Sequence, residues 1–228
     1  MRSGFPDEIR AHGYTRLNIR PAGRPLQLTL ETCRRQVEHS SVNFRGWDLP
    51  HISRNNNERG SIELSSEFVQ GWCDWSYHKE MWRMFRSGQF LHLKALREDL
   101  REGVPEEIQG RAIAVGSLIY TITEMFEFTF RMFRGGLYED GLLINITLGG
   151  TANRELWIED PMRMGFSFPR RTIAESVTVE RQLTPSQLST DSGEASRPAI
   201  REMFEPFGWT PSEEQLRSDQ QKLFSMRY

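Results

Sequence analysis

Three groups of side chains in this 228-residue chain are of types that could carry chemistry. The first lies between Ala112 and Phe133. At about 100° per residue, Ser117, Tyr120, Glu124, Glu127, Arg131 and Arg134 share one stripe of a helix, while Val115, Leu118, Ile122, Phe126 and Phe133 face the other way. Glu124 and Glu127 form a carboxylate pair of the kind that supports acid or base work when burial raises one pKa. Arg131 stands one turn beyond Glu127, in the order that favours a salt bridge, and a solvent-facing stripe explains the same residues without catalysis.

The second group comprises Asp48 and His51 on RGWDLPH, Cys73, Asp74 and His78 near a strand end, and His92 on the next strand. All are metal-ligand types. Their spacing matches neither a paired-cysteine zinc pattern nor H-E-x-x-H, so no metal and no cofactor is assigned. No G-x-S-x-G elbow accompanies the histidines, and Cys73, between Trp72 and Asp74, reads as a small buried hydrophobe. Neither G-x-G-x-x-G nor G-x-x-x-x-G-K-[ST] occurs, which removes the two familiar phosphate cradles.

The third group interleaves Trp47, Trp72, Trp75, Trp82 and Phe85 with Arg45, Arg54, Arg59, Arg83 and Arg86. Such a mixture packs a core, docks on a protein or stacks nucleic-acid bases, ranked in that order. Charge bears on the choice, because 29 basic against 31 acidic residues give a net −2 and no field that draws the chain to nucleic acid or an anionic membrane. Of the 29 basic residues only Lys79, Lys94 and Lys222 are lysines, leaving 26 arginines. Arginine suits forked recognition of carboxylates and phosphates, although a genome rich in arginine codons gives the same excess.

Two cysteines are too few for a disulfide framework, so a reducing cytoplasm is expected. MRSGFPDEIR has no apolar core behind its charge and does not read as a signal peptide. Ala112 to Phe133 is long enough for a bilayer but carries Glu124, Glu127 and Arg131, which predicts a buried helix of a soluble protein with no membrane role.

The elements that must position these groups follow from periodicity. Tyr14 to Arg20 alternates as a strand, and Thr29 caps a helix with Cys33 and Val37 inward. Residues 44–52 are irregular because of Gly46 and Pro50, and 53–60 form a polar loop. SIELS, EFVQGWCDW (67–75) and QFLHLKALR (89–97) read as strands, with HKEMWRMF (78–85) as a helix between them. A long helix is expected over 106–134, opening after Pro105 and stopping at Gly135-Gly136. Strands over 142–150, 154–160 and 175–183 follow. Thr184 and Thr210 each open a capping box with proline next, DSGEAS (191–196) reads as a flexible connection, and Ser196 caps a helix through Phe204. The sum is an α+β fold: a mixed, mainly antiparallel sheet on one long buried helix, with C-terminal helices. Residues 1–13 form an extension, and 14–228 one domain, with sheet and long helix over 14–190 and a helical segment over 191–228.

The order of IRP (Ile19 to Pro21), RGWDLPH (45–51), WRMFRSGQFLHLKALRED (82–99), TEMFEFTFR (123–131) and FGW (207–209) resembles a bacterial domain found after Schlafen/AlbA-type DNA-binding domains. The resemblance implies a cytosolic accessory or sensing domain in regulation or in defence against foreign nucleic acid, and it attaches no catalytic residue. With no room for another domain before Tyr14, it also implies that a separate partner protein would bring the chain to any DNA it works with.

The leading expectation is a non-enzymatic interaction or sensing domain that docks on a protein partner, or on a second copy of itself, through 45–59 and 72–86. Arg45, Trp47, Asp48, His51, Trp75, Arg83 and Arg86 are its binding set. A second reading is a hydrolase or nucleotide-processing enzyme using Glu124, Glu127 and Arg131. The third, a nucleic-acid-binding accessory protein, has no support from net charge.

Overall fold

The structure, a computed structural model, describes residues 1–100, 106 and 108–226. Helix α1 (Phe5–Arg10) precedes β1 (Tyr14–Pro21) and α2 (Leu30–Ser40). Strands β2 (Gly60–Leu64), β3 (Phe68–Trp75), β4 (His78–Phe85) and β5 (Phe90–Ala95) lead to a short α3 (Arg97–Leu100). After β6 (Ala112–Ala114) comes α4 (Val115–Arg134), then β7 (Leu142–Gly149), β8 (Glu155–Trp157) and β9 (Ser176–Leu183). A short α5 (Pro185–Leu188), α6 (Ser192–Phe204) and α7 (Glu213–Ser225) complete the described chain.

Seven strands form one antiparallel sheet in the order β2-β3-β4-β5-β1-β7-β9, so the expected α+β class holds. Period two sends Leu17, Ile19, Trp82, Met84, Phe90, Ile144 and Ile146 into the main core, under α4. The alternate residues Trp72, Met81, Leu93 and Ala95 point to the reverse face, where Phe5 and Ile9 of α1 cover them. Residues 1–13 are therefore part of the folded body, and burying Phe5 and Ile9 completely contributes about 1.5–3 kcal/mol each. At Gly71 a Cβ would lie 2.4 Å from the Trp82 ring, so only glycine lets that indole rest on β3.

Helix α4 is buried nearly all round, by the sheet on one side and α2, α6 and α7 on the others. Phe128 meets Phe90 of β5 with ring centroids 4.7 Å apart. Its N-cap Ala114 offers no side-chain acceptor, and Glu159 supplies one from a distance, accepting the amides of Gly116 (3.1 Å) and Ser117 (2.7 Å). Among the described residues no helix is long and apolar enough to cross a membrane.

Several expectations are corrected. HKEMWRMF is strand β4; its burial on both faces, with Trp82 in the main core and Met81 against α1, hides the alternation a half-buried strand would show. The long helix starts at Val115, nine residues later than expected, because Ala112–Ala114 pair as β6 with β8 in a separate two-stranded parallel sheet. Pro105, the expected start signal, lies outside the described residues. The strand expected over 154–160 shortens to β8. DSGEAS is no flexible connection, since Asp191 accepts the Glu194 amide at 2.7 Å and starts α6 at Ser192. The box at Thr184 forms as expected, whereas α7 is capped by Ser212 with Gln215, two residues past Thr210. Ser212→Ala should therefore lower the urea-unfolding free energy by about 1 kcal/mol while Thr210→Ala leaves it unchanged; the reverse pattern would restore the earlier start.

Candidate functional site

The site is built on the α4 face of the sheet, at the β3–β4–β5–β1 end. Cross-strand register sets Cys73, Glu80, Lys94 and Thr15 in one row. Two of these, the buried Glu80 and the half-buried Lys94, are charged-type side chains where the rest of the sheet places aliphatic and aromatic ones. Val42 and Leu49 exchange backbone hydrogen bonds of 2.9 and 2.8 Å, and Leu49 is sunk in the core. The residues between them are thrown out as a tight excursion through Gly46, whose φ of 76° no other residue adopts freely. That excursion carries Arg45, Trp47 and Asp48 over the row, steadied by Asn43 Nδ2 donating to Asp48 Oδ1 at 2.9 Å.

Between loop, sheet and α4 lies a cleft of about 620 Å³. Lys94 and Thr15 line it from the sheet, Arg45, Trp47 and Asp48 from the loop, Thr121 and Glu124 from α4, and Trp75, Tyr77 and His78 from the β3–β4 turn. Trp75 and Tyr77 are exposed at its rim. Trp47 stacks on His51 at 4.4 Å, lies 4.5 Å from the His78 ring and meets Trp75 edge-on at 6.5 Å.

Glu80, 1% exposed, is held from three sides. The His51 amide donates to Oε1 at 2.6 Å, His78 Nε2 lies 2.5 Å from Oε2, and His92 Nε2 lies 2.8 Å from Oε1 though off the hydrogen-bond direction. Trp82 Nε1 donates to the His51 carbonyl at 2.9 Å and fixes the loop end. Burial by itself would raise the Glu80 carboxyl, but His92 and His78 outweigh it and hold it well below the usual carboxylate range. Burial, helped by the Lys94 charge, lowers His78 from about 6.5 to about 4 against the pull of Glu80, and lowers His51 in the same direction. Lys94 is pushed down by burial and by Arg45, with Glu80 and Glu124 partly restoring it.

Glu124 and Glu127 do not form a pair. Glu124 is 1% exposed and faces the cleft, where Arg45 grips both its oxygens and donates to Thr121 Oγ1 at 3.2 Å. Glu127 turns to α6, accepting from Arg131 Nε (2.8 Å), Arg134 (3.0 Å) and Ser192 Oγ (2.6 Å). Arg131 also donates to the Ser41 carbonyl at 2.6 Å, anchoring the end of α2. The stripe, which the sequence reads as facing either solvent or a pocket, is thus divided between a cleft and a helix junction.

Of the expected binding set, Arg45, Trp47, Asp48 and Trp75 line the cleft and His51 backs Trp47. Arg83 lies on the reverse face, bonded to Gln70 at 2.8 Å and over the Phe68 ring, and Arg86 holds the Leu28 carbonyl at 3.0 Å. Sequence reasoning missed Glu80 and Lys94. A strand reading of 78–85 would have found them, because it sets Glu80 opposite Lys94 and beside His92 on an otherwise apolar face. No group of three or more His, Cys, Asp or Glu among the described residues is arranged to hold a metal ion.

Comparison with known proteins finds no matching family model, curated protein or solved structure.

Histidines kept neutral by burial bind fewer protons folded than unfolded, so their stability contribution is complete above pH about 6.5 and is lost as pH falls toward about 4. Glu80, with its pKa depressed, adds a further loss below the unfolded glutamate value of about 4.3. The urea-unfolding free energy should fall steadily from about pH 7 to pH 5, by up to about 1.4 kcal/mol per pH unit for His78, and His78→Gln should flatten the decline. Equal stability across that range in the wild type would contradict the buried-neutral assignment.

Proposed function

We propose that the chain is a small-molecule-binding, sensing domain whose ligand occupies the cleft between the 43–48 loop, the sheet and α4. The observation that carries this reading is a cleft of about 620 Å³, within the usual range for organic ligands, walled by Trp47 and Trp75 and floored by Lys94 and Glu124. A protein does not gain stability by burying such groups in place of aliphatic ones, so their retention calls for a use. Among the described residues Trp47 Nε1, His51 Nδ1 and His92 Nδ1 have no hydrogen-bond partner. Each is a further cost at the same place. The ligand that fits has a flat apolar body for the indoles and a polar end for the floor.

The role suits the accessory, sensing position that the Schlafen/AlbA-associated resemblance implies. It departs from a flat protein-docking surface, because the aromatic and basic residues converge on a concavity. Catalysis in the same cleft is a second reading, favoured by the His78–Glu80 contact: Nε2 bound to the carboxylate leaves Nδ1 as a base of fixed orientation.

A fragment screen read by tryptophan fluorescence and melting temperature tests the proposal. Aromatic carboxylates and carbonyl compounds should bind, and Trp47→Ala should weaken the best of them about ten-fold or more, the loss of a central aromatic contact. Hits indifferent to both Trp47→Ala and Lys94→Met would place binding elsewhere and end this reading.

A further inference from the structure

Resting on the ligand-binding reading of the cleft, we propose that Lys94 is an imine-forming amine that captures an aldehyde or ketone ligand covalently. Three lysines occur in the chain, and two are engaged: Lys79 with Asp74, and Lys222 with Asp160 at 3.6 Å. Lys94 lines the cleft, and among the described residues its ammonium nitrogen makes neither a hydrogen bond nor an ion pair. Its lack of a partner has a structural cause. Glu80, directly across the strand pair, is already taken by His78, His92 and the His51 amide, and both oxygens of Glu124 are taken by Arg45. The acids that would have tied the lysine down are spent on other donors.

A nucleophilic lysine must be a free amine, and burial with a second cation nearby is the usual means of producing one. Lys94 has both: it is half-buried among the cleft residues, which disfavours its charge, and the Arg45 guanidinium adds to the effect. The groups that face it are Glu80, Glu124, Arg45, Cys73, His78 and His51. Its setting also explains a choice of residue. With 26 of 29 cations arginine, a lysine on the cleft floor is the one cation type there that can form a carbon–nitrogen double bond.

In the step itself, the Nζ lone pair attacks the carbonyl carbon, forming a C–N bond as the C=O π pair moves to oxygen. Proton transfer gives a carbinolamine. Its C–O bond then breaks and oxygen leaves as water with the two protons originally on nitrogen, leaving an imine. No oxidation or reduction occurs. The apolar body of the carbonyl compound rests against Trp47 and Trp75.

The test treats the full chain with benzaldehyde and sodium cyanoborohydride, which spares the aldehyde and reduces the imine to a stable secondary amine, and locates adducts by peptide mass mapping. Lys79, Lys222 and the N-terminal amine are internal controls. Labelling at Lys94 is expected to be about ten-fold faster than at Lys79 or Lys222. Excess benzoate, which has the ring but no electrophilic carbonyl, should slow it, and Lys94→Arg should abolish the adduct without loss of the melting transition. Lys94 labelled no faster than the other lysines overturns the proposal, and this arm uses only the wild-type chain. If benzoate quenches the cleft tryptophans while no Lys94 adduct is trapped, the imine falls and the ligand-binding reading survives. If neither compound binds the cleft or labels Lys94 selectively, both fall.

Discussion

A carboxylate buried inside an antiparallel sheet has to be met by polar groups, and Glu80 is approached from three directions, two of them by hydrogen bonds. His78 comes from its own strand, His92 from the neighbouring one, and the His51 amide from the loop above. The last contact matters most for architecture. Left without donors, a buried carboxylate would cost several kcal/mol, so the loop end that supplies the amide is held where the carboxylate needs it. With His51 fixed, Trp47 has a ring to stack on, and Arg45 is carried within reach of Glu124 on α4. Sheet, loop and central helix are thus joined through charges as well as through apolar contact, and the cleft is the space those charges keep open.

The two glutamates of α4 show how partner geometry, more than helical spacing, decides what a side chain does. Both sit on one stripe and differ by less than a turn. Glu127 is saturated by two arginines and a serine and joins α4 to the start of α6. Glu124 receives one guanidinium from a loop far away in sequence and remains at the cleft wall. A helical wheel draws them alike because it contains neither the loop nor α6.

What was legible in the sequence is what local physics controls. The alternation of β1, β3, β5, β7 and β9, the Thr29 and Thr184 caps and the Gly135-Gly136 stop all depend on neighbours a few residues apart. So does the grouping of Arg45, Trp47, Asp48 and His51, because a segment broken by Gly46 and Pro50 displays its side chains together. The failures share one cause. Strand β4 was disguised by an inward glutamate and by apolar residues on both faces, and those inward polar groups are the site itself. Composition groups Arg83 and Arg86 with the cleft residues because which face of the sheet they take depends on register, which composition does not contain.

The position of β1 also governs how the chain can come together. The first strand of the chain ends up in the interior of the sheet, with β5 on one side and β7 on the other. Likewise the first turn of α4 takes its acceptor from a residue 42 to 43 positions further on. As the polypeptide leaves the ribosome, β1 has neither neighbour available, and the wall of the cleft lacks its cap until Glu159 has emerged. Long-range closures of this kind slow folding. Once β5 has emerged β1 can pair on one side only, and its other edge stays open until β7 follows, an exposed edge of the kind that invites misassociation during synthesis.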